Sequence, residues 1–378
     1  MSDAIRPFTL AIAQEQLDDL QTRLDCTRWP ERETVGDWSQ GVPIDRLQAL
    51  VDHWRHHYDW RRCEAMLNGH GQYKTRIDGL DIHFLHIRSP EPDAMPLLLT
   101  HGWPGSVIEF HKVIGPLSDP AAHGGNPADA FHLIIPSLPG YGFSDKPTES
   151  GWGVERIARA WAELMRRRGY DRYVAQGGDW GSAVTMSLGV QAPPGLAGVH
   201  FNMLSIRPDH FSEHPDAQEQ AAINALDYFG NVESAYARLQ ATRPQTIGYA
   251  LADSPVAQAA WIYEKLRGWS DCDGEPENIF TRDEMLDNIM LYWLPGNGAS
   301  SARLYWESMA SFRPMKIDLP LGYSQFPREI MAPPRHWAEQ VFSRIIHWNE
   351  LDKGGHFAAF EQPVRFVGEV RDCFRMLR

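Results

Sequence analysis

Asp179 stands at the centre of Gly177-Gly178-Asp179-Trp180-Gly181, between the strand-like run Tyr173-Val174-Ala175 and the helix-like run from Ser182 to Leu188. A strand, a sharp glycine-flanked turn and a helix make a nucleophile elbow, in which small neighbours let the turn push one side chain outward. The side chain displayed here is a carboxylate, not a hydroxyl, and that decides the chemistry. A serine ester of an acyl group can be hydrolysed, whereas the ether that serine would form with a saturated carbon resists water. A carboxylate attacking saturated carbon leaves an alkyl ester whose carbonyl water can still attack. The elbow therefore points to substrates opened at sp³ carbon, such as epoxides or alkyl halides. The plainer alternative is a glycine-rich turn carrying a solvated or helix-capping Asp.

Hydrolysis of such an ester needs a base, and the base needs a carboxylate to orient it. In α/β-hydrolase folds the order along the chain is nucleophile, acid, histidine. His356 lies in the loop Lys353-Gly354-Gly355-His356-Phe357, between the last strand-like and last helix-like segments, where it can swing over the elbow. Glu329, 27 residues earlier in Tyr323-Ser-Gln-Phe-Pro-Arg-Glu329, fits the place of the acid. Asp318 lies inside the preceding strand and is a weaker choice, and Asp352, local to the histidine loop, is the chief rival. The acid would fix the imidazole tautomer and stabilise the imidazolium. His101-Gly102-Trp103-Pro104-Gly105-Ser106 follows the strand ending at Thr100, the position of the second oxyanion element. The backbone N–H groups of Trp103 and Trp180 are expected to face the carbonyl oxygen of Asp179.

The elements that must position these residues follow from periodicity. The first 70 residues read as helical, with Leu17, Leu20 and Leu24, then Leu47, Leu50, Val51, Trp54 and Tyr58, at helical spacing. His53, His56 and His57 read as the polar side of that aromatic-rich helix, since neither a carboxylate nor a cysteine completes a metal site. Tyr73–Ile77, Asp78-Gly79 and Leu80–Phe84 predict a β-hairpin. The apolar runs Pro96–Thr100 and Phe131–Ile135 suit strands buried on both faces. Val154–Met165 predicts a helix with Ile157, Trp161 and Leu164 on one face, and Leu196–Phe201 a further strand. Residues 204–312 lose the strand signal and look helical and aromatic. Alternation resumes over Ile317–Tyr323, and the strand Ile345–Trp348 and a helix bearing Val367, Val370 and Phe374 close the chain.

This pattern predicts an α/β fold with a mostly parallel sheet. Its expected organisation is a helical N-terminal extension over 1–70, a first core half over 71–203, a helical lid over 204–312 and a second core half over 313–378. Ligands bind at the C-terminal strand ends of such sheets, so an insertion there reads as a lid.

Composition narrows the function further. With 378 residues, 43% hydrophobic, the chain is long enough for a sizeable core. A net charge of −13 argues against nucleic-acid binding. The four cysteines are scattered without disulfide or zinc spacing, and neither a signal peptide nor a membrane anchor is visible. A soluble, cytoplasmic protein is the expectation, with the oligomeric state, a homodimer included, left open.

In combination, HGWPGS at 101–106, PGYGFSDKP at 139–147, GGDWGS at 177–182 and GGHFAAFEQP at 354–363 resemble the microsomal-type epoxide hydrolase family of the α/β-hydrolase fold. The resemblance runs from about residue 6 to the C-terminus and covers the helical N-terminal extension. It implies Asp179 as nucleophile, His356 as base, Glu329 as acid, and Tyr236 and Tyr305 as the two lid tyrosines. A phenol can donate to the alkoxide that an opening epoxide releases while staying neutral at pH 7. The implied activity is conversion of a small hydrophobic epoxide to a vicinal diol, a detoxifying hydrolysis without metal or organic cofactor. A dehalogenase sharing the Asp nucleophile and a non-catalytic ligand-binding protein of the same fold are the alternatives. Halide release assays would identify the first, and tight binding without turnover of any epoxide the second.

Overall fold

The computed structural model describes residues 4–208, 210–309 and 315–378. Among these, nine strands form one sheet: β1 (Ile5–Pro7), β2 (Gln72–Ile77), β3 (Leu80–Ile87), β4 (Met95–Thr100), β5 (Phe131–Pro136), β6 (Tyr173–Gly177), β7 (Leu196–Phe201), β8 (Leu321–Gln325) and β9 (Ile345–Glu350). Their spatial order is β1-β2-β3-β5-β4-β6-β7-β8-β9. The first three strands and their junction with β5 are antiparallel, and every pairing from β5 to β9 is parallel.

Burial on both faces explains the continuous apolarity of the central strands. Leu97, Leu98 and Leu99 of β4 and Leu133, Ile134 and Ile135 of β5 are all buried. The helix Val154–Arg167 buries Ile157, Trp161 and Leu164, as its spacing predicts, and packs on the helix Asp179–Gln191. A second pair, His111–Ser118 and Pro363–Arg375, also packs together. The hairpin turn forms because Asp78 and Gly79 both adopt positive φ, 48° and 91°, which matches the twist of the flanking strands.

Between β7 and β8 the described chain is helical, and capping boxes open two of its helices, Asp216 with Glu219 and Thr281 with Glu284. The boundary expected at 312/313 lies outside the described residues.

Two expectations need correction. The first 70 residues are not wholly helical: β1 pairs Ile5 with Thr75 at the sheet edge. Three residues are too few to display a period. Residues 317–320 are not strand either. Pro320 supplies no N–H to a ladder, and the strand begins only at Leu321. Asp318 therefore precedes β8, is solvent-exposed and pairs with Lys316.

Candidate active site

The turn after β6 is as tight as its glycines require. Asp179 itself takes a positive φ of 48°, a strained conformation for a residue with a side chain. A Cβ on Gly181 would lie 1.9 Å from the carbonyl oxygen of Thr100, and one on Gly177 would lie 2.1 Å from that of Gly181. The elbow is therefore wedged against the end of β4. Asp179 also begins the helix Asp179–Gln191, whose N-terminal dipole favours a negative charge.

The same close approach brings the β4 turn onto the carboxylate. Trp103 N–H donates to Asp179 Oδ1 at 2.8 Å. A Cβ on Gly102 would fall 2.3 Å from that oxygen, so only glycine leaves room there. His101 braces the turn: Nδ1 donates to the Gly102 carbonyl at 2.9 Å, and Nε2 accepts from Leu138 N–H at 3.2 Å. Burial depresses its pKa to about 4, so it stays neutral and keeps this tautomer. Trp180 is buried with its ring against Tyr305, at 4.8 Å between centroids.

The second oxygen of Asp179 faces His356. Oδ2 lies 3.5 Å from Nε2, while Nδ1 donates to Glu329 Oε1 at 2.7 Å. Glu329 Oε1 also accepts from Ile330 N–H at 2.7 Å, and its side chain is fully buried. Burial works against a charge on His356, but Glu329 and Asp179 on either side outweigh it and raise its pKa well above the ordinary histidine range. Asp352 is elsewhere: it is exposed and ion-paired with Arg365. Of the three carboxylates weighed from sequence, only Glu329 touches the imidazole.

Tyr236 and Tyr305 descend onto the site from separate helices, Ala235–Thr242 and Gly298–Ser308. Trp103 stacks on the Tyr236 ring at 4.9 Å and meets the Tyr305 ring edge-on at 5.8 Å. Burial, with the nearby Asp179 carboxylate adding to it, raises both phenols well above their ordinary pKa, so both remain protonated donors. Two cavities border residues around the site, though neither is lined by Asp179 or His356. One of about 530 Å³ is lined in part by Trp269 and Glu329, and one of about 590 Å³ by Tyr236 and Lys265.

Several supporting residues carried no signal of their own in the sequence. Trp269 accepts the His356 N–H through its carbonyl at 2.9 Å and packs its ring on the imidazole at 5.0 Å. Asp271 accepts from Gly354 N–H, and Glu361 from the N–H groups of Asp271 and Phe357. Together they tie the histidine loop to the helical insertion. Glu361 belongs to the GGHFAAFEQP run and could have been found there. Trp269 was one aromatic among many.

Comparison with known proteins finds this chain similar to epoxide hydrolases. Residues 5–110 match the family described as epoxide hydrolase N terminus, and residues 95–243 the alpha/beta hydrolase fold. A Stigmatella aurantiaca protein provisionally named an epoxide hydrolase is 59% identical over 376 residues, 99% of this chain and 86% of that protein. Epoxide hydrolase 1 of Oryctolagus cuniculus is 35% identical over 407 residues, 97% of this chain and 90% of its own. The solved structure of Aspergillus niger epoxide hydrolase has a TM-score of 0.89 and 33% identity, covering 99% of this chain and 97% of its own.

Proposed function

The chain belongs to the epoxide hydrolase family, and from that premise we propose that it opens its substrate through a covalent ester on Asp179. As an epoxide hydrolase it converts epoxides to vicinal diols. The observation that carries the covalent route is the unequal setting of the two Asp179 oxygens. Oδ1 is held by the Trp103 amide, and Oδ2 carries no such amide bond among the described residues and lies 3.5 Å from His356 Nε2.

In the first half-reaction Oδ2 attacks an epoxide carbon, the C–O bond breaks, and Tyr236 or Tyr305 gives its proton to the departing oxygen. The ester carbonyl then rests on Oδ1, already hydrogen-bonded to Trp103 N–H. In the second, His356 takes a proton from water, which attacks the ester carbon. The Trp103 amide stabilises the oxyanion, and the Trp180 amide is proposed to join it. As the tetrahedral intermediate collapses, the ester C–O bond breaks, and the released oxygen takes the imidazolium proton and leaves as the diol. The acid proton left on Asp179 makes good, by way of His356, the one the tyrosine gave up. Glu329 holds the imidazole by Nδ1 and supports its charge. The aromatic walls, Trp103, Trp180 and Trp269 with the two tyrosines, suit a small hydrophobic epoxide and exclude bulk water. No helix among the described residues is long and apolar enough to cross a membrane.

The test separates the two half-reactions. His356→Gln leaves alkylation intact and blocks ester hydrolysis, so mass spectrometry after mixing with styrene oxide is expected to show one substrate mass on the peptide bearing Asp179. Single turnover of the wild type in heavy-oxygen water puts unlabelled oxygen into the diol and label into Asp179. Heavy oxygen in the diol from the first turnover, with no adduct, would mean direct attack by water.

A further inference from the structure

Lysine is among the residues least often buried. Lys265, in the helix Pro255–Gly268, is an exception, with only 4% of its side chain exposed. Its ammonium lies over the Tyr236 ring, 4.6 Å from the centroid, and 5.5 Å from the Trp269 ring. Two carboxylates face it, Glu264 at 3.0 Å and Glu233 at 3.9 Å. Both carboxylates bear on Tyr236 as well, and each disfavours loss of its proton.

We propose that Lys265 is a positioning residue for epoxide opening, its ammonium fixed over the Tyr236 ring so that this phenol can give up its proton to the departing alkoxide. When Asp179 attacks, one negative charge disappears into the ester and another emerges on the epoxide oxygen. If Tyr236 donates its proton there, negative charge passes to the phenolate beneath Lys265. A cation over an aromatic face attracts the neutral ring, and it attracts a phenolate more strongly because the charge is spread into the ring. The interaction is thus stronger after proton transfer than before it, which is the condition for accelerating the step. Lys265 also offsets Glu233 and Glu264, which would otherwise oppose the transfer. Its contact with Trp269, whose backbone carbonyl holds the His356 loop, connects the same cation to the wall beside the base.

This inference rests on the reading of Tyr236 as a proton donor, and the experiment separates the two. The rate of adduct formation on Asp179 is measured with styrene oxide in the His356→Gln protein, with and without Lys265→Met and Tyr236→Phe in all four combinations. Lys265→Met is expected to slow alkylation by on the order of tenfold when Tyr236 is present, and to add nothing once Tyr236 is Phe. Lys265→Arg, which keeps the cation, is expected to retain most of the rate. Lys265→Gln, which keeps most of the side-chain length, serves in the same cycle if the Met variant does not fold. Equal slowing in both backgrounds, or none in either, overturns the inference. An unchanged rate on Tyr236→Phe alone would instead remove Tyr236 from the proton transfer.

Discussion

His356 lies between two carboxylates, and in the proposed mechanism that sharing gives the residue two protonation states in one catalytic cycle. With Asp179 and Glu329 both facing it, the imidazole is held protonated well above the ordinary histidine range despite its burial. An imidazolium cannot act as a base. In that mechanism esterification of Asp179 removes one of the two charges that raise the pKa, so the proton leaves more readily, to the tyrosinate that epoxide opening produces, and the nitrogen becomes a base as the ester forms. The sign is testable by replacing Asp179 with its neutral isostere. In Asp179→Asn the His356 resonance, followed by NMR on labelled imidazole, is expected to titrate at lower pH than in the wild type. Titration at the same or higher pH would show that Asp179 does not support the charge. In the same picture alkylation tolerates acid better than ester hydrolysis, because only the second step requires neutral His356.

At the scale of elements, the site is a junction of two turns that touch. The turn after β4 supplies Trp103 N–H and the turn after β6 supplies Asp179, and the two meet because Gly102 and Gly181 leave no Cβ in the way. The Cβ of an alanine at 181 would lie 1.9 Å from backbone, which cannot rotate aside as a side chain could. Gly181→Ala is therefore expected to push the elbow off β4, lengthen the bond from Trp103 to Asp179, and lower both thermal stability and epoxide turnover. A loss of about 1–3 kcal/mol is the scale for strain at such a site, read by thermal unfolding alongside kcat. Wild-type turnover with unchanged melting would show that the close approach is not needed.

At the scale of the whole molecule, the N-terminal segment ties the sheet to the helical insertion. Its strand β1 lies on the sheet edge, and its helices reach the insertion through Arg46 to Glu275, His53 to Asp283, and Tyr58 and Arg62 to Asp287. Asp287 is the buried anchor, with Arg62 2.7 Å from both of its oxygens and Tyr58 at 2.8 Å. Removing Arg62 leaves that carboxylate buried with less support. Arg62→Ala is expected to cost about 1.5–3 kcal/mol in denaturant unfolding, the scale for a hydrogen bond to a charged group. Arg32→Ala, which breaks an exposed pair with Asp45, is the control and is expected to leave the unfolding midpoint almost unchanged. Equal effects would mean that the buried junction does not hold the segment in place.

The sequence alone determined what depends on neighbours along the chain. The elbow strand and helix, the hairpin at Asp78-Gly79 and the buried central strands were legible because each is written in a local period or a turn residue. The order Asp179, then a carboxylate, then His356 was read from the arrangement that α/β-hydrolase folds share, with three carboxylates left to choose among. Tertiary structure decided everything that required distant segments to meet. It brought Glu329 rather than Asp318 or Asp352 to the imidazole, set Trp269 and Lys265 against Tyr236, and added β1 to the sheet edge. It also showed that the N-terminal segment touches both the sheet and the insertion, a question the residues left open. A local pattern reports which face of an element is apolar. It carries no record of which carboxylate, indole or ammonium from elsewhere in the chain will fill the space opposite.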